Sequence, residues 1–215
     1  KSGEIIDIKG NPPLHTSDIE KAVHIFRGEI EQTPPPFSAI KKNGKRLYEL
    51  ARKGLDTHVD PRKVTVNELK IIAYKAPILE LFVRCGKGFY IRTLANDLGK
   101  TLHCGGYLKN LRRTSVAKFK ISEAVPLADA LTTIENDRAS DIVQPIEICV
   151  DNLKRIDLSI EETTMIKNGQ RILCTDTSVI PKGSLASAFS TKGELAAIIR
   201  LEDRSSEWKP MKVFI

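Results

Sequence analysis

"RCGKGFYIRTLANDLG", residues Arg84 to Gly99, is the point at which an extended apolar run gives way to a helical spacing. Ahead of the junction, Leu79, Leu81, Val83 and Cys85 alternate with Glu80, Phe82 and Arg84, the two-residue period of a strand with one buried face. Beyond it, Ile91, Leu94, Ala95, Leu98 and Leu102 recur at helical intervals. "GKGFY" is therefore a strand-to-helix connection, and Arg92 falls in the first helical turn. Upstream, "KVTVNELKIIAYK" is rich in branched residues and reads as a second strand, joined to the first near Pro77. A hairpin feeding a helix in this way predicts an α+β protein.

On the N-terminal side, "TSDIEKAVHIFRGEI" places Ile19, Ala22, Val23 and Phe26 on one helix face, with Ser17 and Glu20 at capping-box spacing and Gly28 near the end. The prolines of "QTPPPFSAIKKNGKR" forbid regular structure and predict a rigid basic loop. "RLYELARKG" then reads as a short helix closed by Gly54, burying Leu47, Leu50 and Ala51. On the C-terminal side, "HCGGYLKNLRRTSVAKFKI" suggests a further strand toward its end, and Pro126 opens a helix in "VPLADALTTI". From about Asp151 short strands and turns predominate. "SLASAFS", "ELAAIIRLE" and "KPMKVFI" predict a small β-barrel over the last 65 residues or so.

The 215 residues carry a net charge of +7, and residues 1–150 hold 24 basic and 18 acidic side chains, hence +6 of it. That bias favours an anionic partner such as a nucleic-acid backbone, whose counterions are released on binding. The four cysteines, Cys85, Cys104, Cys149 and Cys174, include no C-x-x-C pair, and the histidines add no ligand spacing, so thiols in a reducing compartment are expected and a metal site is not. No run of eighteen apolar residues and no signal-peptide layout occurs, which predicts a cytoplasmic protein away from membranes. A first residue of Lys1 suggests a processed, truncated or proteolysed product of a longer gene.

No nucleophile elbow, Walker A loop, H-E-x-x-H or dinucleotide-binding glycine motif is present, which weakens hydrolase, phosphoryl-transfer, zinc-protease and dehydrogenase readings. Two stretches mix aromatic and basic residues. "FSAIKKNGKR" joins Phe37 to Lys41, Lys42, Lys45 and Arg46, and "GYLKNLRRTS" joins Tyr107 to Arg112 and Arg113. Aromatic platforms among cations suit unstacked bases and their phosphates, although each stretch reads equally as a solvated loop around a core aromatic.

"FRGEIEQTPPPFSAIKKNGKRLYELARKG", "RCGKGFYIRTLANDLGKTLHCGGYLKNLRRTSVAKF" and "KPMKVFI", in this order and spacing, resemble the bacterial TruB-type tRNA pseudouridine synthase family, from Lys1 to the end. The resemblance implies a bent, mainly antiparallel mixed sheet flanked by helices, followed by a small PUA-like β-barrel. It places a catalytic domain at residues 1–150 and an RNA-binding domain at 151–215. It further implies conversion of one uridine, U55, in the T-loop of tRNA to pseudouridine by a monomer, with no metal or cofactor.

By similarity, Tyr90 and Arg92 take the positions of the pocket tyrosine and of the arginine that pairs with the catalytic aspartate. Phe37 takes that of an aromatic, often tyrosine, near the flipped base, and here lacks the hydroxyl; Leu111 matches an apolar residue against the base. Lys41, Lys42, Lys45, Arg46, Lys87, Arg112 and Arg113 are the RNA-facing candidates. The family's aspartate motif, G-x-x-D-x-x-A-x-G-x-L, is not reproduced, and Asp97 stands five residues past Arg92 in a structural or RNA-facing place. The chain alone is therefore expected to be inactive. The alternative from another class is a non-catalytic RNA-binding protein that keeps the T-arm grip.

Overall fold

The computed structural model describes residues 15–174, 180–203 and 205–215, which form two compact units divided after Arg112. The first contains helix α1 (Thr16–His24), strand β1 (Gly28–Gln32), the short strands β2 (Lys41–Lys42) and β3 (Lys45–Arg46), helix α2 (Leu47–Arg52), strands β4 (Arg62–Lys75) and β5 (Ile78–Cys85), and helix α3 (Ile91–Thr101). β4 lies between β1 and β5, antiparallel to both.

The fourteen-residue β4 does not keep a single alternation: Val64 and Val66 are buried, and the next buried residue is Leu69. The cause is an extra residue at Asn67, where the pairing steps from Val66–Cys85 to Glu68–Arg84, and another at Ile72. Each β-bulge resets the phase, so that Leu69, Ile71 and Tyr74 return to the face left by Val66. Ile19, Ala22 and Val23 of α1 and Leu94 and Leu98 of α3 cover that face, with Leu79, Leu81 and Val83 of β5 packed alongside.

α1 is capped differently from the sequence expectation. His15 is its N-cap, and no side chain closes the first turn, because the helix begins at Thr16 and leaves Ser17 inside it. A capping box does form at Ser159, whose hydroxyl accepts from the Glu162 N–H while the Glu162 carboxylate accepts from the Ser159 N–H.

The second unit begins with the two-residue strands β6 (Ser115–Val116) and β7 (Phe119–Lys120), which are all that forms of the strand expected there, and continues through helix α4 (Leu127–Glu135) behind Pro126. Then come β8 (Lys154–Asp157), α5 (Ile160–Lys167), β9 (Ile172–Leu173), β10 (Leu185–Phe189), β11 (Leu195–Leu201) and β12 (Glu207–Val213). These five strands pair in the order β8-β10-β11-β12-β9, with β8 parallel to β10 and the remaining pairs antiparallel.

Ala186, Ala188, Ala196 and Ala197 are fully buried there, in a core shared with Ile166 of α5, Ile199, Leu201 and Trp208. Small side chains in the sheet let the helix and the large indole approach closely. Pro210, which has no N–H to give a ladder, sits in β12 beside a register shift and beyond the two residues that β9 pairs.

Candidate active site and RNA-facing surface

The chain arrives at the site from β1. Gln32, the last residue of that strand, is 4% exposed, and its amide is satisfied by one residue alone. Its Oε1 accepts from the Tyr90 N–H at 2.7 Å and its Nε2 donates to the Tyr90 carbonyl at 3.1 Å. A buried amide that closes two hydrogen bonds on one peptide group fixes the N-cap of α3. Thr93 adds a 3.4 Å bond from Oγ1 to the Thr33 carbonyl.

The prolines then carry the chain, with Pro34 buried, to Phe37, whose carbonyl accepts from Nη2 of Arg92 at 2.7 Å. Phe37 is 56% exposed and Arg92 is exposed, so a fixed cation is held at the main chain of an exposed aromatic residue, with Tyr90 half-buried between β5 and α3 in the chain's path. A guanidinium with one N–H committed to a carbonyl keeps further donors for an anion. Ser38, next along, is 6% exposed and its hydroxyl has no hydrogen-bond partner among the described residues.

The expected basic loop after Phe37 is in part a hairpin. Lys41 and Lys42 pair with Arg46 and Lys45 across Asn43 and Gly44, both with positive φ, 50° and 80°. Asn-Gly between two paired residues is the two-residue turn whose twist matches a hairpin, and this signal was available in "KKNGKR". Lys42 is bound to Asp56 at 2.7 Å. That contact, with the His58 N–H, holds the Asp56 carboxyl below the ordinary aspartate range. Lys41 and Lys45 have no ion-pair partner among the described residues, and Lys87 occupies the exposed turn between β5 and α3.

The far end of α3 positions the next segment. The helix ends with His103 in the left-handed conformation, its N–H donating to Lys100 and that of Cys104 to Gly99, a Schellman arrangement. The chain then lies directly on the helix. A Cβ at Gly99 would collide with the backbone of Gly105 and Gly106, and one at Gly106 with the Ala95 carbonyl oxygen. This close approach explains "HCGGY", and it sets the departure of the loop that carries Leu111, 60% exposed, and Arg112. Arg113, also exposed, opens the second unit. Asp97 faces its own helix neighbours, accepting from Asn96 at 2.9 Å and lying 3.9 Å from Lys100.

Phe37, Tyr90 and Arg92 are thus gathered by hydrogen bonds, while Leu111 and the basic side chains lie on exposed loops and turns. Gln32, Ser38, Gly99 and Gly106 belong to the same arrangement and carried no signal of a role in the sequence. A hollow lined by Lys21, Ile25, Leu102 and His103 lies at the opposite end of α3 from Arg92.

Comparison with known proteins agrees along the chain. Residues 1–91 match the family described as "TruB family pseudouridylate synthase (N terminal domain)", and residues 92–151 match "tRNA pseudouridylate synthase B C-terminal domain". A tRNA pseudouridine synthase B of Dehalococcoides mccartyi is 38% identical over 213 residues, covering 99% of this chain and 70% of that protein. One from Haemophilus influenzae is 40% identical over 176 residues, 79% of this chain and 56% of its own length. Other D. mccartyi relatives are covered over 64% of their length, so the chain spans between about half and 70% of the proteins it matches.

Among solved structures, a Cbf5–Nop10–Gar1 complex superposes with a TM-score of 0.70 at 21% identity, over 97% of this chain and 62% of that one. An archaeal box H/ACA Nop10–Cbf5 complex gives the same score at 64% coverage of its chain. These likenesses show the fold, and the sequence relatives show the lineage. The chain belongs to the TruB family of tRNA pseudouridine synthases.

Proposed function

We propose that this chain is the larger part of an enzyme that converts U55 in the T-loop of tRNA to pseudouridine, with residues 1–150 catalytic and 151–215 a PUA-like grip on the tRNA. Its place of action is the cytoplasm, and it works as a monomer on the T-arm. The observation that carries the reading is the 2.7 Å bond from Arg92 to the Phe37 carbonyl, which ties a cation in the first turn of a helix to the main chain of an exposed aromatic residue.

The chemistry asks for such a pair. A uracil stacked in a folded arm must leave the stack before its glycosidic bond can be reached, and an aromatic ring offers it a new stacking surface. The N1–C1′ bond then breaks with help from an aspartate, the base turns, C5 bonds to C1′, and the C5 proton is lost as N1 gains one. Arg92 keeps that aspartate ionised as water is excluded. Phe37 has no hydroxyl and moves no proton, so Tyr90 is the candidate for proton transfer at C5. None of the 215 residues reproduces the aspartate motif, and the acid is proposed to come from sequence outside them.

The test uses the complete gene product and a tRNA labelled with tritium at C5 of uridine. Release of the label marks the new C5–C1′ bond. Arg92→Ala should slow release by about a hundredfold or more while tRNA affinity stays near wild type. A rate within a few-fold of wild type would remove Arg92 from the reaction. A complete gene product that binds a T-arm stem-loop and releases no tritium would instead establish the non-catalytic RNA-binding reading.

A further inference from the structure

The cations around α2 are not equivalent. Lys42 is neutralised by Asp56, whereas Arg46 and Arg52 converge on one ring: their guanidinium carbons lie 5.9 Å and 5.5 Å from the centre of Tyr48. Nη1 of Arg46 also donates to the Tyr48 hydroxyl at 3.3 Å. The backbone that carries the ring is tied to the site loop, because the Tyr48 N–H donates to the Ser38 carbonyl at 3.1 Å and Leu47 beside it is fully buried. Neither arginine has an ion-pair partner among the described residues, and Glu49 is the one acidic side chain on α2.

A guanidinium over an aromatic ring spends its face on the ring and keeps N–H edges free. Those edges match the oxygens of a phosphodiester two at a time. Held in place by Tyr48, two long side chains give up less rotamer freedom when a ligand arrives than free arginines would. The family resemblance pointed to Arg46 among the basic residues of this stretch; Arg52 and Tyr48 come from the structure alone.

We infer that Arg46 and Arg52, mounted on Tyr48, form a paired binding site for the phosphodiester backbone of RNA, adjoining the loop that carries Phe37. The inference rests on the tRNA reading above and adds to it a named contact. Tyr48 acts as a positioning residue and the two arginines as the binding groups.

The experiment measures binding of the 215-residue chain to a T-arm stem-loop RNA over a range of salt concentrations, with melting curves for every variant. Arg52→Ala should weaken binding about tenfold or more at low salt and flatten the slope of log K against log salt by about one. Arg52→Gln keeps the side-chain length and should behave in the same way, which guards against a folding effect of the alanine. Tyr48→Leu should weaken binding while the slope stays within a few tenths of wild type, since no charge is lost. Lys21→Ala, on α1, should change neither. Arg52 variants with wild-type affinity and slope would overturn the inference, as would an equal loss in Lys21→Ala. A wild-type chain without affinity for the stem-loop would overturn the tRNA reading itself.

Discussion

Gln32 and Tyr90, 58 positions apart, are joined by two hydrogen bonds, the Gln32 side chain serving both the N–H and the C=O of the Tyr90 backbone. This pair ties the end of β1 to the start of α3 and brings the Phe37 segment within reach of Arg92.

Replacing Gln32 with alanine leaves a donor and an acceptor of Tyr90 without partners at a half-buried position. The cost should be about 1–3 kcal/mol. Denaturant melts of the chain measure it, and an unchanged midpoint would show that the pair is not formed in solution. In the complete enzyme the same change should lower turnover together with stability, as the N-cap of α3 loosens.

Gly99 and Gly106 are the next test, since each has backbone where a side chain would begin. Alanine at either position should destabilise the first unit by at least about 1–3 kcal/mol, because main-chain atoms cannot rotate aside. Alanine at Gly44 meets no neighbouring atom but demands a positive φ of 80°, so its smaller loss of about 1 kcal/mol comes from backbone strain alone. Thermal melts of the three variants should rank in that order.

Ser38 predicts the opposite sign. Its buried hydroxyl has no partner among the described residues, and burial of an unpaired polar group is unfavourable. Ser38→Ala should therefore hold or raise the melting temperature of the chain. A fall equivalent to more than about 1 kcal/mol would show that the hydroxyl is bonded in solution.

The Lys42–Asp56 pair gives a dependence on pH. The hydrogen bond from Lys42 is the larger influence and the one from the His58 N–H the smaller, and both depress the folded carboxyl below the ordinary value of 3.8. A depressed folded pKa stabilises above the unfolded pKa, and the contribution is lost as pH falls through the folded one. NMR titration should place Asp56 below 3.8, and Lys42→Ala should move it upward. The difference in denaturant midpoint between wild type and Lys42→Ala should shrink once pH drops below about 4. A titration at the ordinary value in both proteins would show that the pair is not populated.

Much of the fold was legible because its signals are local. The alternation of Leu79, Leu81 and Val83, the helical spacing of Leu94 and Leu98 and the three terminal strand segments each lie within one window of sequence, and each appears in the structure. The bulges at Asn67 and Ile72 were not legible, because a phase break inside a β-rich run has the same composition as an unbroken strand. The strand expected after Arg113 shrank to a hairpin of two-residue strands, and the capping box expected at Ser17 was displaced when the helix began two residues earlier. Both segments are exposed, so no burial reinforced a weak local preference.

The sequence by itself determined the helices, the hairpin, the C-terminal strands and, through its resemblance, the lineage, since periodicity and motif order survive without coordinates. Only the tertiary structure decided what Arg92 touches. Its bond to Phe37 spans 55 positions, the Gln32–Tyr90 clasp spans 58, and the two glycines meet because a helix and the following loop share no room for a methyl group. Such contacts depend on where separate elements come to rest, and no local pattern records that.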